Sequence, residues 1–176
     1  DNARIVGYAT PDYYETGVTA PPPEKMQIAY RADVEGKEWE PWVGDGEKAG
    51  TTGSYKMLRA LMIRLSGNEL SGGVSYRTHM QTQGWQDWVS DGAISGIPGG
   101  TKRMEAVQIK LTGEAEKQYD IYYRAHCQSF GWLDWAKNGE MAGTSGLSKR
   151  LEGIRVRLVP KGEAAPGSTA RPSVEG

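Results

Sequence analysis

The sequence predicts an all-β protein, a closed pseudo-threefold body built from three copies of one unit. Three observations predict it. All six tryptophans fall in Trp-x-x-Trp pairs, Trp39/Trp42, Trp85/Trp88 and Trp132/Trp135, with first members 46 and then 47 residues apart. A fixed period in this range marks a repeat architecture. The register also extends past the tryptophans: Tyr30-Arg31, Tyr76-Arg77 and Tyr123-Arg124 stand nine residues before each pair, and glycines recur after it at Gly46/Gly92/Gly139, Gly50/Gly96/Gly143 and Gly53/Gly99/Gly146. Finally, each copy begins and ends on apolar residues at a spacing of two, the period of a half-buried strand.

The elements follow in order. Residues 1–25 hold Pro21-Pro22-Pro23, which fits neither a helix interior nor a central strand, and read as an extended, Pro-rich lead-in. The three-repeat β domain then runs over 26–160, with repeats at about 28–67, 74–113 and 121–160. In each first strand one face is apolar: Ile28/Tyr30/Ala32/Val34, Val74/Tyr76/Thr78/Met80 and Ile121/Tyr123/Ala125/Cys127. A short strand is expected around each Trp pair, then a Gly-rich loop. The closing ladders are Leu58, Leu61, Ile63, Leu65; Met104, Val107, Ile109, Leu111; and Leu151, Ile154, Val156, Leu158. Turn-rich residues 67–73 and 113–117 join the units, and no stretch carries a helical period. Residues 161–176, rich in Ala, Pro, Gly, Ser and Thr, read as a flexible tail or linker. Two long strands dominate each unit, which favours a β-prism-like body, with a β-trefoil as the alternative.

These residues carry a resemblance. Tyr-Arg-x-His, Gly-Trp-x-x-Trp, Asp/Asn-Gly, Gly-x-x-Gly and Lys-Arg-Leu/Met-Glu, as in Tyr123–His126, Gly131–Trp135, Asn138-Gly139, Gly143–Gly146 and Lys149–Glu152, resemble the ChW repeat, the clostridial hydrophobic repeat with its characteristic tryptophan. The resemblance implies a secreted or surface-displayed bacterial protein that binds extracellular polymers or cell surfaces. The first copy departs from the pattern, with Glu38 before its Trp, Pro41 for Asp, and Arg59 where the others carry Glu105 and Glu152.

Composition narrows the function. A net charge of −1 gives no field suited to nucleic acid or to an anionic membrane. One cysteine, Cys127, allows neither an internal disulfide nor a cysteine metal cage. No apolar run is long enough to span a membrane as a helix. The chain starts at Asp1 rather than Met, as expected of a mature or excised form. No catalytic motif appears, and no cofactor is expected. The two histidines, His79 and His126, sit at equivalent places in separate repeats, so they do not make one metal site.

The candidate binding residues are the second tryptophans, Trp42, Trp88 and Trp135, with Arg77/His79 and Arg124/His126 on the outer face of the first strands, and Asp91 and Asn138 in the turns. Counting alternation through the pair puts the first Trp toward the core and the second on a more polar face, where an indole stacks on a sugar or fills a partner's pocket. Packing of both rings inside the body is the competing reading. Arg and His supply donors for hydroxyl groups, although an ordinary solvated sheet face explains them too. The Asp-Gly and Asn-Gly pairs are sufficiently explained as turns. The expected role is a non-catalytic binding or adhesion module for a cell-surface glycan or cell-wall polymer. Docking to a surface protein is the alternative, and the oligomeric state is left open.

Overall fold

The computed structural model describes residues 25–67 and 70–176. Apart from Lys25, the expected lead-in over 1–25 lies outside these residues. The described residues are mostly β-strand, as the alternation predicts. Repeat one comprises β1 (Gln27–Val34), β2 (Glu38–Trp39), β3 (Val43–Gly44), β4 (Lys48–Gly50) and β5 (Leu58–Ser66). Repeat two comprises β6 (Val74–Met80), β7 (Gly84–Trp85), β8 (Val89–Ser90), β9 (Ser95–Gly96) and β10 (Met104–Leu111). Repeat three comprises β11 (Tyr119–Cys127), β12 (Gly131–Trp132), β13 (Ala136–Lys137), β14 (Met141–Ser145) and β15 (Leu151–Pro160).

Two expectations need correction. A one-and-a-half-turn helix, α1 (Gly113–Gln118), joins repeats two and three where only a turn was expected. It is too short to show a period, but Glu114 and Glu116 in its first turn and Lys117 in its last complement the helix dipole, and Ala115 is buried. The tail is not loose either. Residues beyond Pro160 fold back over repeat three and end in β16 (Ser173–Glu175), which pairs parallel with β14. Composition pointed to a linker because these residues bury little apolar surface; backbone hydrogen bonds hold them instead.

Among the described residues the strands form three sheets, and none closes into a barrel. Their orders are β2-β1-β5-β9, β16-β14-β10-β6-β7 and β12-β11-β15-β4, with β3, β8 and β13 also paired to β1, β6 and β11. Each sheet takes its two long antiparallel strands from one repeat and a short strand from another. Repeat two donates β9 to β5, repeat three donates β14 to β10, and repeat one donates β4 to β15. The exchange is cyclic, so the first repeat is joined to the third and no repeat completes its sheet alone.

The closing ladders explain how this joint is made. Their first step spans three residues (Leu58 to Leu61, Met104 to Val107, Leu151 to Ile154) rather than two. The extra residue is a β-bulge: Val34 pairs with Leu58 and Asp33 with Ala60, which skips Arg59, and Glu105 and Glu152 are skipped in the same way. A bulge leaves one residue outside the ladder and bends the strand. Here the donated strand uses the freed backbone: Arg59 O accepts from Ile97 N, and Glu152 O from Thr51 N. Gly50, Gly96 and Gly143 make the approach possible. All three have φ near or above +90°, and an added Cβ would lie 2.4 to 2.5 Å from the carbonyl oxygen of Glu152, Arg59 or Glu105.

The repeated tyrosines lock the same joints. Tyr30, Tyr76 and Tyr123 are fully buried. Each hydroxyl donates to a turn carbonyl of its own repeat, Glu47, Ala93 or Glu140. Tyr76 and Tyr30 accept N–H groups of the preceding closing strand in the cycle, from Ile63 at 3.1 Å and Val156 at 3.0 Å, and the Ile109 backbone engages Tyr123. Burial raises the pKa of all three phenols. Around them the apolar faces of all six long strands form one core that includes Ile28, Val34, Leu61, Ile63, Val107, Ile109, Ile154 and Val156. Cys127 belongs to this core; burial, then the charge of Glu152, pushes its thiol up to about 12, so it is structural rather than reactive.

Candidate functional site

The Tyr-Arg and Trp-x-x-Trp motifs build one structure on the outer face of each sheet. The guanidinium after each core tyrosine lies between the two indoles that follow. Arg31 is 5.4 Å from the Trp39 ring centre and 5.5 Å from that of Trp42. Arg77 lies 4.9 Å from both Trp85 and Trp88, and Arg124 lies 5.4 and 5.5 Å from Trp132 and Trp135. These distances fit cation–π attraction. One hydrogen bond fixes each guanidinium: Arg31 Nε and Arg124 Nε donate to the carbonyls of Glu40 and Leu133, and Arg77 Nε donates to Gln108 Oε1. Burial lowers the Arg124 pKa, and the Asp134 charge works against that shift. A second cation reaches Trp42 and Trp88, Arg64 at 4.0 Å and Lys110 at 4.2 Å.

The first tryptophans do not face the core. All three are half-buried on the outer surface. The alternation was counted through a break: β7 and β12 are two residues long, and the chain leaves the strand straight after the first Trp. Trp85 sits directly opposite His79, and Trp132 opposite His126, and cross-strand partners share a face. The rings meet edge to face at 5.3 and 5.2 Å. The six tryptophans are absent from the main core, so internal packing of both rings does not hold for any pair.

The histidines are already engaged. His79 Nδ1 is 3.0 Å from Glu105 Oε1 and His126 Nδ1 is 2.9 Å from Glu152 Oε1; each carboxylate also accepts from Arg103 or Arg150 through its other oxygen. The glutamates are the bulge residues, turned by the extra residue toward the first strand. In repeat one the polarity is inverted. Arg59 occupies the bulge and makes a two-pronged bond to Asp33, at 2.9 and 3.1 Å, which also accepts from Gly99 N. Asp33, which stands where the other repeats carry His79 and His126, and Arg59 therefore compensate one another.

Asp91 and Asn138 form turns. Asp91 Oδ1 accepts from Val74 N and Asn138 Oδ1 from Ile121 N, each at 2.9 Å. Both residues adopt φ of 45° before a left-handed glycine, the geometry of a tight hairpin turn.

Repeat three differs from the others at its second tryptophan. Trp135 is buried, 7% exposed, because the folded-back C-terminal segment covers it. Trp135 N donates to Ser168 O, Asp134 N donates to Arg171 O, and Asp134 Oδ2 accepts from Arg171 N. Gly167 lies against the indole, where an added Cβ would stand 3.0 Å from Nε1. The start of the segment is anchored on Asp120 of β11, which accepts from Asn138 Nδ2, Lys161 Nζ and Gly162 N. Burial works to raise the Asp120 pKa, but these hydrogen bonds outweigh it and bring it down to about 2. One register position differs between the covered repeat and the two open ones. Glu40 and Gln86, directly after the first Trp, accept from Gly50 N and Gly96 N at 2.9 Å. Repeat three has Leu133 there, which cannot accept, and Pro172 O takes the Gly143 N–H instead. The signal was in the sequence as Glu, Gln and Leu at one register position, although nothing local gave it meaning.

Among the described residues no group of three or more His, Cys, Asp or Glu side chains is placed to hold a metal ion. No helix among them is long and apolar enough to cross a membrane. The fold and the site thus define an all-β protein of three tandem repeats, each with an arginine–tryptophan ladder on its outer face. The profile of the ChW family, clostridial hydrophobic W, matches residues 34–67, 79–113 and 126–160. These matches cover more than half of the chain, which belongs to this family. No curated protein and no solved structure matches it.

Proposed function

We propose that the chain is a non-catalytic, extracellular bacterial binding module that recognises cell-surface or cell-wall glycans through the ladders of repeats one and two. Half-buried Trp42 and Trp88, left outside the core at equivalent places, carry this reading. Large indoles kept at a surface among cations, with Gln86, Asp87 and Ser90 flanking Trp88, offer apolar area next to hydrogen-bonding groups, which suits a pyranose ring. Each site alone is weak, and two sites on one rigid body gain avidity. Trp135 drops out of the set because the chain's own C-terminal segment lies on it. A cyclic exchange of strands among three separate sheets favours the prism-like arrangement over the trefoil.

The covered groove supports a second reading, docking of a polypeptide. There an extended segment adds to the edge of β14 and is clamped by Asp134 and Trp135, a mode by which sheets bind peptides. A glycan and cell-wall polysaccharide array separates the two. The glycan reading expects retention on a defined sugar, at least about tenfold loss with Trp42→Ala/Trp88→Ala, and little loss with raised salt. Retention on no sugar would transfer the role to a polypeptide partner.

A further inference from the structure

The structure carries a second candidate site, away from the arginine–tryptophan ladders. A cleft of about 500 Å³ lies where the three repeats meet, at the ends of β1, β6 and β11. Its walls are register-equivalent residues. Glu35, Gln81 and Gln128 follow the three first strands, and Met57, Arg103 and Arg150 precede the three closing strands. A third position in register is Tyr55 in repeat one, against Thr101 and Ser148.

The framework of this cleft is threefold. Glu35 Oε1, Gln81 Oε1 and Gln128 Oε1 accept from the backbone N–H of Met57, Arg103 and Arg150 at 3.3, 3.2 and 3.1 Å. The chemistry facing the cleft is not threefold. Repeats two and three each bring a guanidinium and a carboxamide. Arg103 and Arg150 spend Nε on Glu105 and Glu152. Among the described residues their terminal nitrogens, and Nε2 of Gln81 and Gln128, have no hydrogen-bond partner. Repeat one brings a carboxylate, an apolar Met57 in place of the arginine, and Tyr55. This tyrosine is 75% exposed, the most exposed large apolar side chain of the described residues, and is held at φ 58°. Its ring lies 5.7 Å from the Arg150 guanidinium and also lines the adjoining cleft beside His126 and Gly131.

A left-handed backbone at an exposed, non-glycine residue costs free energy, and an exposed tyrosine gains nothing from burial. Cationic donors come from repeats two and three, and a carboxylate and an aromatic face from repeat one. Guanidinium forks match carboxylates. A carboxylate such as Glu35 accepts from hydroxyls, and the tyrosine offers a stacking surface. The volume is in the range of small-ligand sites. We propose that this central cleft binds one hydroxylated ring acid, a hexuronate unit, with its carboxylate toward Arg103 and Arg150, its hydroxyls toward Glu35 and its ring against Tyr55.

The test is an NMR titration of the ¹⁵N-labelled chain with D-galacturonate and, in parallel, with D-galactose. The proposal expects saturable shifts at the amides of Glu35, Tyr55, Arg103 and Arg150, with the six tryptophan indole N–H signals unmoved. Galactose should bind at least about tenfold more weakly, because it offers no carboxylate to the guanidinium forks. Two variants keep the fold while altering the cleft. Tyr55→Asn suits the left-handed backbone, and Arg150→Lys keeps the charge beside Glu152 but loses the fork. Each should weaken galacturonate roughly tenfold or more. No saturable shift, equal binding of the two sugars, or shifts at the indoles alone would each overturn the proposal. The last result would instead favour the ladders as the sugar site.

Discussion

Arg59→Glu is expected to destabilise the protein by about 3–5 kcal/mol, the cost of leaving a buried ion without its partner. Asp33 is 2% exposed and receives three hydrogen bonds, two from Arg59 and one from Gly99 N. A glutamate at 59 would put a second carboxylate against it. Repeats two and three show how a glutamate is accommodated there, with histidine on the first strand and arginine two residues before the bulge. The triple variant Asp33→His/Met57→Arg/Arg59→Glu imports that set into repeat one and should recover most of the loss, as coupled positions do. Urea denaturation of the wild type, the single and the triple variant checks this. A single variant as stable as the wild type, or a triple variant no better than the single, would refute the charge-swapped equivalence. The same coupling explains Met57: an arginine there would face Arg59 rather than a glutamate.

The second large effect is expected at the joint between repeats. Gly96→Ala should cost about 3 kcal/mol or more, since it combines a left-handed conformation with a backbone clash. The new Cβ would meet Arg59 O at 2.4 Å and the Ala60 Cα at 2.7 Å, both main-chain atoms that cannot step aside. Gly99→Ala is the control. Gly99 also has positive φ, but nothing lies within 4 Å of its added Cβ, so only the conformational cost of about 1 kcal/mol remains. Thermal unfolding of the two variants should separate them clearly. Equal losses would mean that conformational preference, and not the close approach of β9 to the bulge, sets the requirement for glycine at 96.

The legible and illegible parts of the fold divide by the range of the signal. Alternation over eight residues placed β1, β6 and β11 and identified their buried faces residue by residue. The three-residue first step of each closing ladder was visible in the sequence as well, but only strand pairing shows it to be a bulge. The same limit hid the compensation at Asp33 and Arg59. Arg59 stands out as a departure from the repeat, yet its partner Asp33 is 26 residues away and meets it only across the β1/β5 ladder. Period-two reasoning turns the first tryptophan of each pair toward the core because it runs across strands two residues long; the outer placement of Trp42 and Trp88 agrees with it. The tail escaped because its attachment is made through backbone groups of Ser168, Arg171 and Pro172, which composition does not reveal. In the candidate site, Arg77 and Arg124 were found through the Tyr-Arg register. Their place between two indoles depends on a hairpin geometry that the motif does not state. That Trp135 is covered shows only in the structure, where Gly143 N–H donates to Pro172 O; Leu133 at that register position does not announce it.

The most direct measurement follows the six tryptophan indole N–H signals by NMR as purified bacterial cell-wall polysaccharide is added to the ¹⁵N-labelled chain. Binding through the open ladders predicts that the Trp42 and Trp88 signals move and saturate together, while that of Trp135, beneath residues 165–168, stays in place. Saturable binding that moves Trp135 and leaves Trp42 and Trp88 unchanged would contradict it.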